Sequence, residues 1–279
     1  MLKDVAISTD FMRDDNIVRE SLALISKAGF KYIHWCQQWK GDYIYTCSEI
    51  KTIRSWLREE GLKCQDLHAT AGKEKDWGSY FEYSRKAGVD LIKNRIEMAK
   101  ELGADAIVLH LSMFFTKKGK YNSKESFNKK RINAMKVSLS ELVRFAESLN
   151  IKIAFENMPF EKKQLDLISD LITDSNPKIT GICYDSGHGN IIKGSIEWLE
   201  RWKDRLFVTH LHDNYGKKDK HLLPFNGNVD FNPIISIIRD SSSYKKAITL
   251  EVGLWATKLK PYIFLKEAKK RGERLLSLK

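Results

Sequence analysis

Cysteine is scarce, with four in 279 residues: Cys36, Cys47, Cys64 and Cys183, and no CxxC pair among them. That scatter excludes a disulfide framework and reads as the reduced thiols of a cytoplasmic protein. No apolar run approaches the eighteen residues of a membrane span. The opening MLKDVAISTDF enters a strand-like segment almost at once, without the basic and apolar regions of a signal peptide. Low-complexity stretches and proline-rich linkers are missing. So are G-x-S-x-G and H-E-x-x-H, which removes a nucleophile elbow and a zincin helix. The first strand-like run leads into STDFMRDDN, not the glycine-rich phosphate loop that an open doubly wound sheet would usually carry there.

The residues present suffice for a large core. Hydrophobic residues make up 42% and charged residues 30%, the balance of a soluble chain. The formal charge of +12 suits polyanions or phosphorylated substrates, and equally a solvated surface of dispersed lysines. Lysine concentrates in TKKGKYNSKESFNKKR (116–131) and GKKDK (216–220).

Eight β-branched-rich runs recur: 5–9, 30–35, 62–69, 106–110, 152–157, 179–185, 206–213 and 247–252. Amphipathic stretches separate many of them. DDNIVRESLALISKAG opens on capping carboxylates and ends on Gly29, SEIKTIRSWLREEG runs from Ser48 to Gly61, and two longer stretches close at Gly103 and Asn150. KKQLDLISDLITD and a C-terminal stretch around KPYIFLKEAKKRGERLLS follow. Strand and helix in repeated alternation predict parallel strands with right-handed crossovers. Eight such units in one domain, residues 1–279, predict a single (β/α)8 barrel.

In such a barrel the chemistry sits at the C-terminal strand ends. There the sequence places His68, His110, Glu156, Asp185 with His188, His210 with His212, Asp219 with His221, and Glu251. His34, near the end of the second strand, completes the seven histidines on one rim. Any one of them could be an ordinary hydrogen-bonded residue. Imidazoles and carboxylates converging together suit borderline divalent ions that accept mixed nitrogen and oxygen ligands. Without a cation, crowded buried carboxylates would repel and take up protons. GICYDSGHGN (181–190) reads as a glycine-loosened loop carrying Asp185 and His188.

Through DLHA, VLH, AFEN, GICYDSGHGN, THLHDN, DKHLLPFNGNVDF and LEV the chain resembles the xylose-isomerase-like barrel superfamily. That group holds sugar isomerases and epimerases and the zinc nuclease endonuclease IV. The resemblance to the nuclease implies three zinc ions on nine positions: His68, His110, Glu156, Asp185, His188, His210, Asp219, His221 and Glu251. The nuclease's D-T-C-H signature, however, is DSGH here, and its glutamate is followed by a threonine where this chain has ENMPFEKK. The HLHDN and DKHL runs are more similar to the isomerases and epimerases, in which the resemblance implies one divalent ion on Glu156, Asp185, His210 and Glu251.

The first expectation is therefore a zinc- or manganese-dependent isomerase or epimerase of a sugar, sugar phosphate or related derivative. Glu156 and Glu251 would move a proton through an enediolate, and His188 would hold a substrate oxygen. Trp35, Trp39, Trp77 and Trp255 offer faces for sugar C–H groups, with His34 and His212 as hydroxyl contacts; each is as readily a packing residue. The alternative is an abasic-site phosphodiesterase with clustered zinc, its lysines on DNA phosphates. A metal-stabilised barrel without catalysis is the third reading. The first reading takes a small-molecule sugar as partner and the alternative takes nucleic acid; one to three ions and a homo-oligomer fit both.

Overall fold

The computed structural model describes residues 2, 4–14, 17–70, 72, 74–116 and 118–278. Asp15, one of the expected capping carboxylates, and Lys117 of the first lysine cluster lie outside them.

All eight expected strands form: β1 (Val5–Ser8), β2 (Tyr32–Trp35), β3 (Lys63–His68), β4 (Ala106–Leu109), β5 (Lys152–Glu156), β6 (Thr180–Asp185), β7 (Leu206–His210) and β8 (Ile248–Leu250). They pair parallel in chain order, and β8 returns to β1. The ring closes one residue past β7, where Leu211 bridges Leu250 and its N–H donates to the Thr249 carbonyl at 2.8 Å. This is a (β/α)8 barrel.

Helices α1 (Val18–Lys27), α2 (Cys47–Glu59), α3 (Glu82–Leu102), α4 (Ser123–Ser126), α5 (Lys129–Leu149), α6 (Lys163–Thr173), α7 (Ser186–Ile191), α8 (Ser195–Trp202), α9 (Phe231–Asp240) and α10 (Pro261–Leu276) surround it. Thr46, not Ser48, starts α2: its hydroxyl accepts from the Glu49 N–H while Glu49 accepts from the Thr46 N–H, a reciprocal cap. Gly103 and Asn150 end α3 and α5 in the left-handed conformation that stops a helix. Four helices, α4, α7, α8 and α9, form outside the expected helical stretches. Of these, α7 is built on a glycine-rich stretch that reads as loop by propensity.

Side chains alternate on each strand. Ile33, Leu67, Ile107, Ile153, Phe155 and Ile182 belong to the main core shared with the buried faces of the helices. A second, smaller cluster of Ala106, Val108, Ala154, Cys183, Phe207 and Val208 is buried along β4–β7. A polar network is buried with it. Asp66 accepts from His34 Nδ1 at 2.7 Å and pairs with Lys246 Nζ at 3.0 Å, and Lys246 also pairs with Asp105. All four cysteines are free thiols. No helix among the described residues is long and apolar enough to cross a membrane.

Candidate metal centre

The site begins where β6 ends. Asp185 is the last strand residue and the N-cap of α7, accepting the His188 N–H at 2.6 Å. The expected loop is thus a short helix, and its i, i+3 spacing puts Asp185 and His188 on one side. A Cβ on Gly187 would overlap the imidazole of His212, and one on Gly189 would meet the Tyr184 hydroxyl. Glycine here makes room rather than flexibility.

Glu156 is the hub. Its Oε2 lies 2.8 Å from His110 Nε2 and 3.6 Å from His68 Nε2, and its Oε1 lies 3.2 Å from His210 Nδ1 and 3.4 Å from His188 Nδ1. Glu251 Oε2 is 3.0 Å from the same His210 nitrogen, so two carboxylates from β5 and the end of β8 bracket one imidazole. On the far side Asp219 Oδ2 lies 3.3 Å from His188 Nε2 and 3.0 Å from His221 Nε2. All nine expected residues therefore join one continuous cluster. Within it, four donor atoms of Glu156, Asp185, His210 and Glu251 lie within 4.8 Å of one another, as do those of His68, His110 and Glu156.

The donor set fits a divalent ion. Buried polar atoms ordinarily find partners, yet Asp185 Oδ2, His188 Nδ1, His210 Nε2, His212 Nε2 and Glu251 Oε2 are buried with no hydrogen bond. Three of them, His188 Nδ1, His212 Nε2 and Glu251 Oε2, lie at ion-pair distances from other groups of the cluster without hydrogen-bond geometry, as ligand atoms around a shared cation would. His68 Nδ1 donates to the Ala69 carbonyl at 2.7 Å and His221 Nδ1 to the Glu251 carbonyl at 2.8 Å. Such bonds fix the tautomer and leave each Nε2 facing the cluster.

The electrostatics agree. Burial alone would push the Glu156 carboxyl up, but His210 and His110 beside it hold it well below the usual range. Glu251 is likewise held far down against its burial, chiefly by His210. Burial opposes the charging of His188, yet Asp185, Asp219 and Glu156 together push it well above the ordinary imidazole value. Against the same burial, Asp219 and Glu251 push His221 up to about 9. Negative charge in the cluster thus attracts protons when nothing else neutralises it.

A pocket of about 120 Å³ opens over the cluster, lined by Glu156, Glu251, His68, His110, His188, Asp219 and His221. Two of the expected tryptophans reach it. Trp39 stacks on His68 with ring centres 4.6 Å apart, and Trp255 meets His221 edge-on at 5.8 Å. The other aromatic and histidine residues expected to touch substrate do not line this pocket, although Trp77 lines a neighbouring groove. Trp35 is buried against Tyr45, to whose hydroxyl its indole N–H donates at 3.2 Å, because alternation on β2 turns it away from His34. Trp77 is buried beside Phe155. His34 and His212 are wholly enclosed. His34 is spent on Asp66, and His212 lies 3.0 Å from Asp185 Oδ1, so neither can meet a substrate hydroxyl.

Asp10, Arg13, Lys40 and Met158 also line the pocket and were missed. Burial and Glu251 push the Asp10 carboxyl up. The signal was available for Asp10, which follows β1 as the other site residues follow their strands. Arg13 and Lys40 lie over the indoles of Trp255 and Trp39, at 3.5 and 4.8 Å, a placement no local pattern announces.

Comparison with known proteins follows this geometry. The protein y4fM of Sinorhizobium fredii, uncharacterized, is 32% identical over 258 residues, covering 85% of this chain and 81% of that protein. Among solved structures, the IolI protein with a binding zinc atom superposes with a TM-score of 0.76 at 18% identity, covering 99% of this chain and 98% of that one. D-Psicose 3-epimerase superposes at 0.75 and 16% identity, covering 98% and 99%. The sequence pattern of one family matches residues 22–262, most of the chain, and with the barrel just described it places this protein in the xylose isomerase-like TIM barrel family.

Proposed function

We propose that this protein is a divalent-metal-dependent isomerase or epimerase acting on a sugar or sugar derivative. The observation that carries the reading is the quartet of Glu156, Asp185, His210 and Glu251, with two carboxylates from opposite parts of the barrel bracketing one imidazole under a small pocket. Those four residues would hold the ion. When bound, a divalent ion supplies Lewis acidity, which makes the C–H beside a sugar carbonyl more acidic.

The chain's own groups supply the rest. Glu156 and Glu251 are held ionised, so each carboxylate is in the form that can accept a proton. With the reacting carbon between them, one carboxylate takes its proton and leaves an enediolate, and the other, or the same one, returns it. His188 carries the positive charge that its acidic neighbours favour and places it beside a substrate oxygen where negative charge develops. Trp39 and Trp255 line the pocket and limit water access to the reacting carbon. Similarity of fold to D-psicose 3-epimerase and to a D-tagatose 3-epimerase-like protein supports the same reading.

A second reading, a zinc phosphodiesterase, has its own support, since His68, His110 and Glu156 form a further candidate group and His188 and His221 meet at Asp219. The indoles beside both groups and the small volume of the pocket favour a sugar over a duplex. Elemental analysis of protein purified without chelator separates the two. About one ion per chain, with solvent deuterium entering a sugar C–H, is expected. About three zinc ions with cleavage of abasic-site DNA would replace the first reading by the second. Glu156→Gln retaining metal and full activity would sink both.

A further inference from the structure

A far larger groove of about 870 Å³ adjoins the reaction pocket and shares Trp39, His110 and Met158 with it. Three loops on the catalytic face build the groove: those after β3, β4 and β5. Its walls are aromatic and open to solvent. On one side Tyr80, Phe81 and Tyr83 follow one another, with Phe81 56% and Tyr83 79% exposed. On the other, Phe115 (45% exposed) meets Phe160 (38%) edge-on at 5.6 Å, and Tyr121 stacks behind Phe160 at 5.0 Å.

The second wall is fixed in place. Phe115 and Tyr121 form an antiparallel bridge, and the Tyr121 hydroxyl donates to Glu161 at 2.7 Å, tying the β4 loop to the β5 loop. Polar groups also line the groove: Arg131, buried, donates its Nε–H to the Ser112 carbonyl at 3.0 Å and pairs with Asp76.

A concave groove of this volume, lined by aromatic side chains with a few polar groups among them, has the usual form of a ligand site. Aromatic walls with polar groups between them suit a carbohydrate, which offers C–H faces to the rings and hydroxyls to the polar groups. The reaction pocket, at about 120 Å³, is much the smaller of the two, so a ligand too large for it would extend into the groove.

We propose that the groove is a subsite for a second sugar ring, so that the substrate is a disaccharide or glycoside whose carbonyl-bearing unit enters the reaction pocket. The inference rests on the isomerase or epimerase reading and narrows its substrate class.

The test compares matched pairs on metal-loaded protein: fructose with isomaltulose, and glucose with isomaltose. Solvent-deuterium exchange gives kcat/KM, and calorimetry gives affinity. At least about a tenfold preference for the two-ring member is expected in one of the measurements, a factor equivalent to about 1.4 kcal/mol. Phe81→Ser with Phe115→Ser should reduce that preference by about tenfold while the melting temperature holds, because both rings are exposed. Equal handling of both members, or a preference that the double substitution leaves unmoved, overturns the subsite. If no sugar exchanges deuterium, the proposed reaction fails, and the calorimetric preference alone decides the groove. If light scattering instead finds a dimer that the double substitution dissociates while the preference stays unmoved, the groove belongs to a second copy and the subsite is refuted.

Discussion

Stripping the metal should cost this protein a large part of its thermal stability, by an amount that follows from the cluster. Five polar atoms, on Asp185, His188, His210, His212 and Glu251, are buried without a hydrogen bond. Each such atom costs about 1–3 kcal/mol when nothing satisfies it. A divalent ion on Glu156, Asp185, His210 and Glu251 would satisfy several at once and bind the native state alone. At free metal about 100 to 1,000 times its Kd, mass action then stabilises by about 2.7–4.1 kcal/mol. For a chain near this size, each kcal/mol moves the melting temperature by about 2–4 °C. Scanning calorimetry with excess chelator should therefore find a melting temperature roughly 5–15 °C below that of the loaded protein, restored by added zinc or manganese. Asp185→Ala should melt at one temperature in both conditions. A wild-type curve that neither chelator nor metal moves would refute the metal centre and the mechanism built on it.

Gly187→Ala should damage the site without reaching the pocket. The new methyl overlaps the His212 ring, and the ring's displacement pulls on Asp185, 3.0 Å away; metal affinity should fall about 10–100-fold, read by competition with a chelating dye. The buried network gives an acid-sensitive contribution. Burial opposes the charge on Asp66, but Lys246 and His34 bring its carboxyl down to about 2 from an ordinary 3.8. A carboxyl depressed in the folded state stabilises above its unfolded value, and here the contribution, about 2 kcal/mol, is present above pH 4 and lost as pH falls through 2. Denaturant unfolding at pH 7 and near pH 2.5 should show that loss in the wild type and its absence in Asp66→Asn.

The agreement between sequence and structure is uneven in an instructive way. The apolar, β-branched-rich runs of β4, β5 and β6 are short, and each strand lies where its run says. Helices with strong end signals, such as Gly103 after α3, are equally legible. α7 was not. SGHGNI has poor helix propensity, and it is helical because Asp185 caps it and because only glycine passes beside His212 and Tyr184.

By itself, the sequence determined the barrel and the set of nine polar residues at its rim, since strand order and alternation assign each residue to an end and a face. Which of them meet was decided by tertiary structure. His34, His68 and His212 are all histidines at or just beyond strand ends, yet Asp66 encloses the first, the cluster takes the second, and the third lies beneath Asp185 and Asp219. Likewise Trp35 and Trp39 are four residues apart, and only the second reaches the pocket. The physical reason is that alternation fixes the side of a strand, whereas depth and neighbours depend on the register and tilt of strands distant in the chain and on loops such as those carrying Asp219 and Phe115.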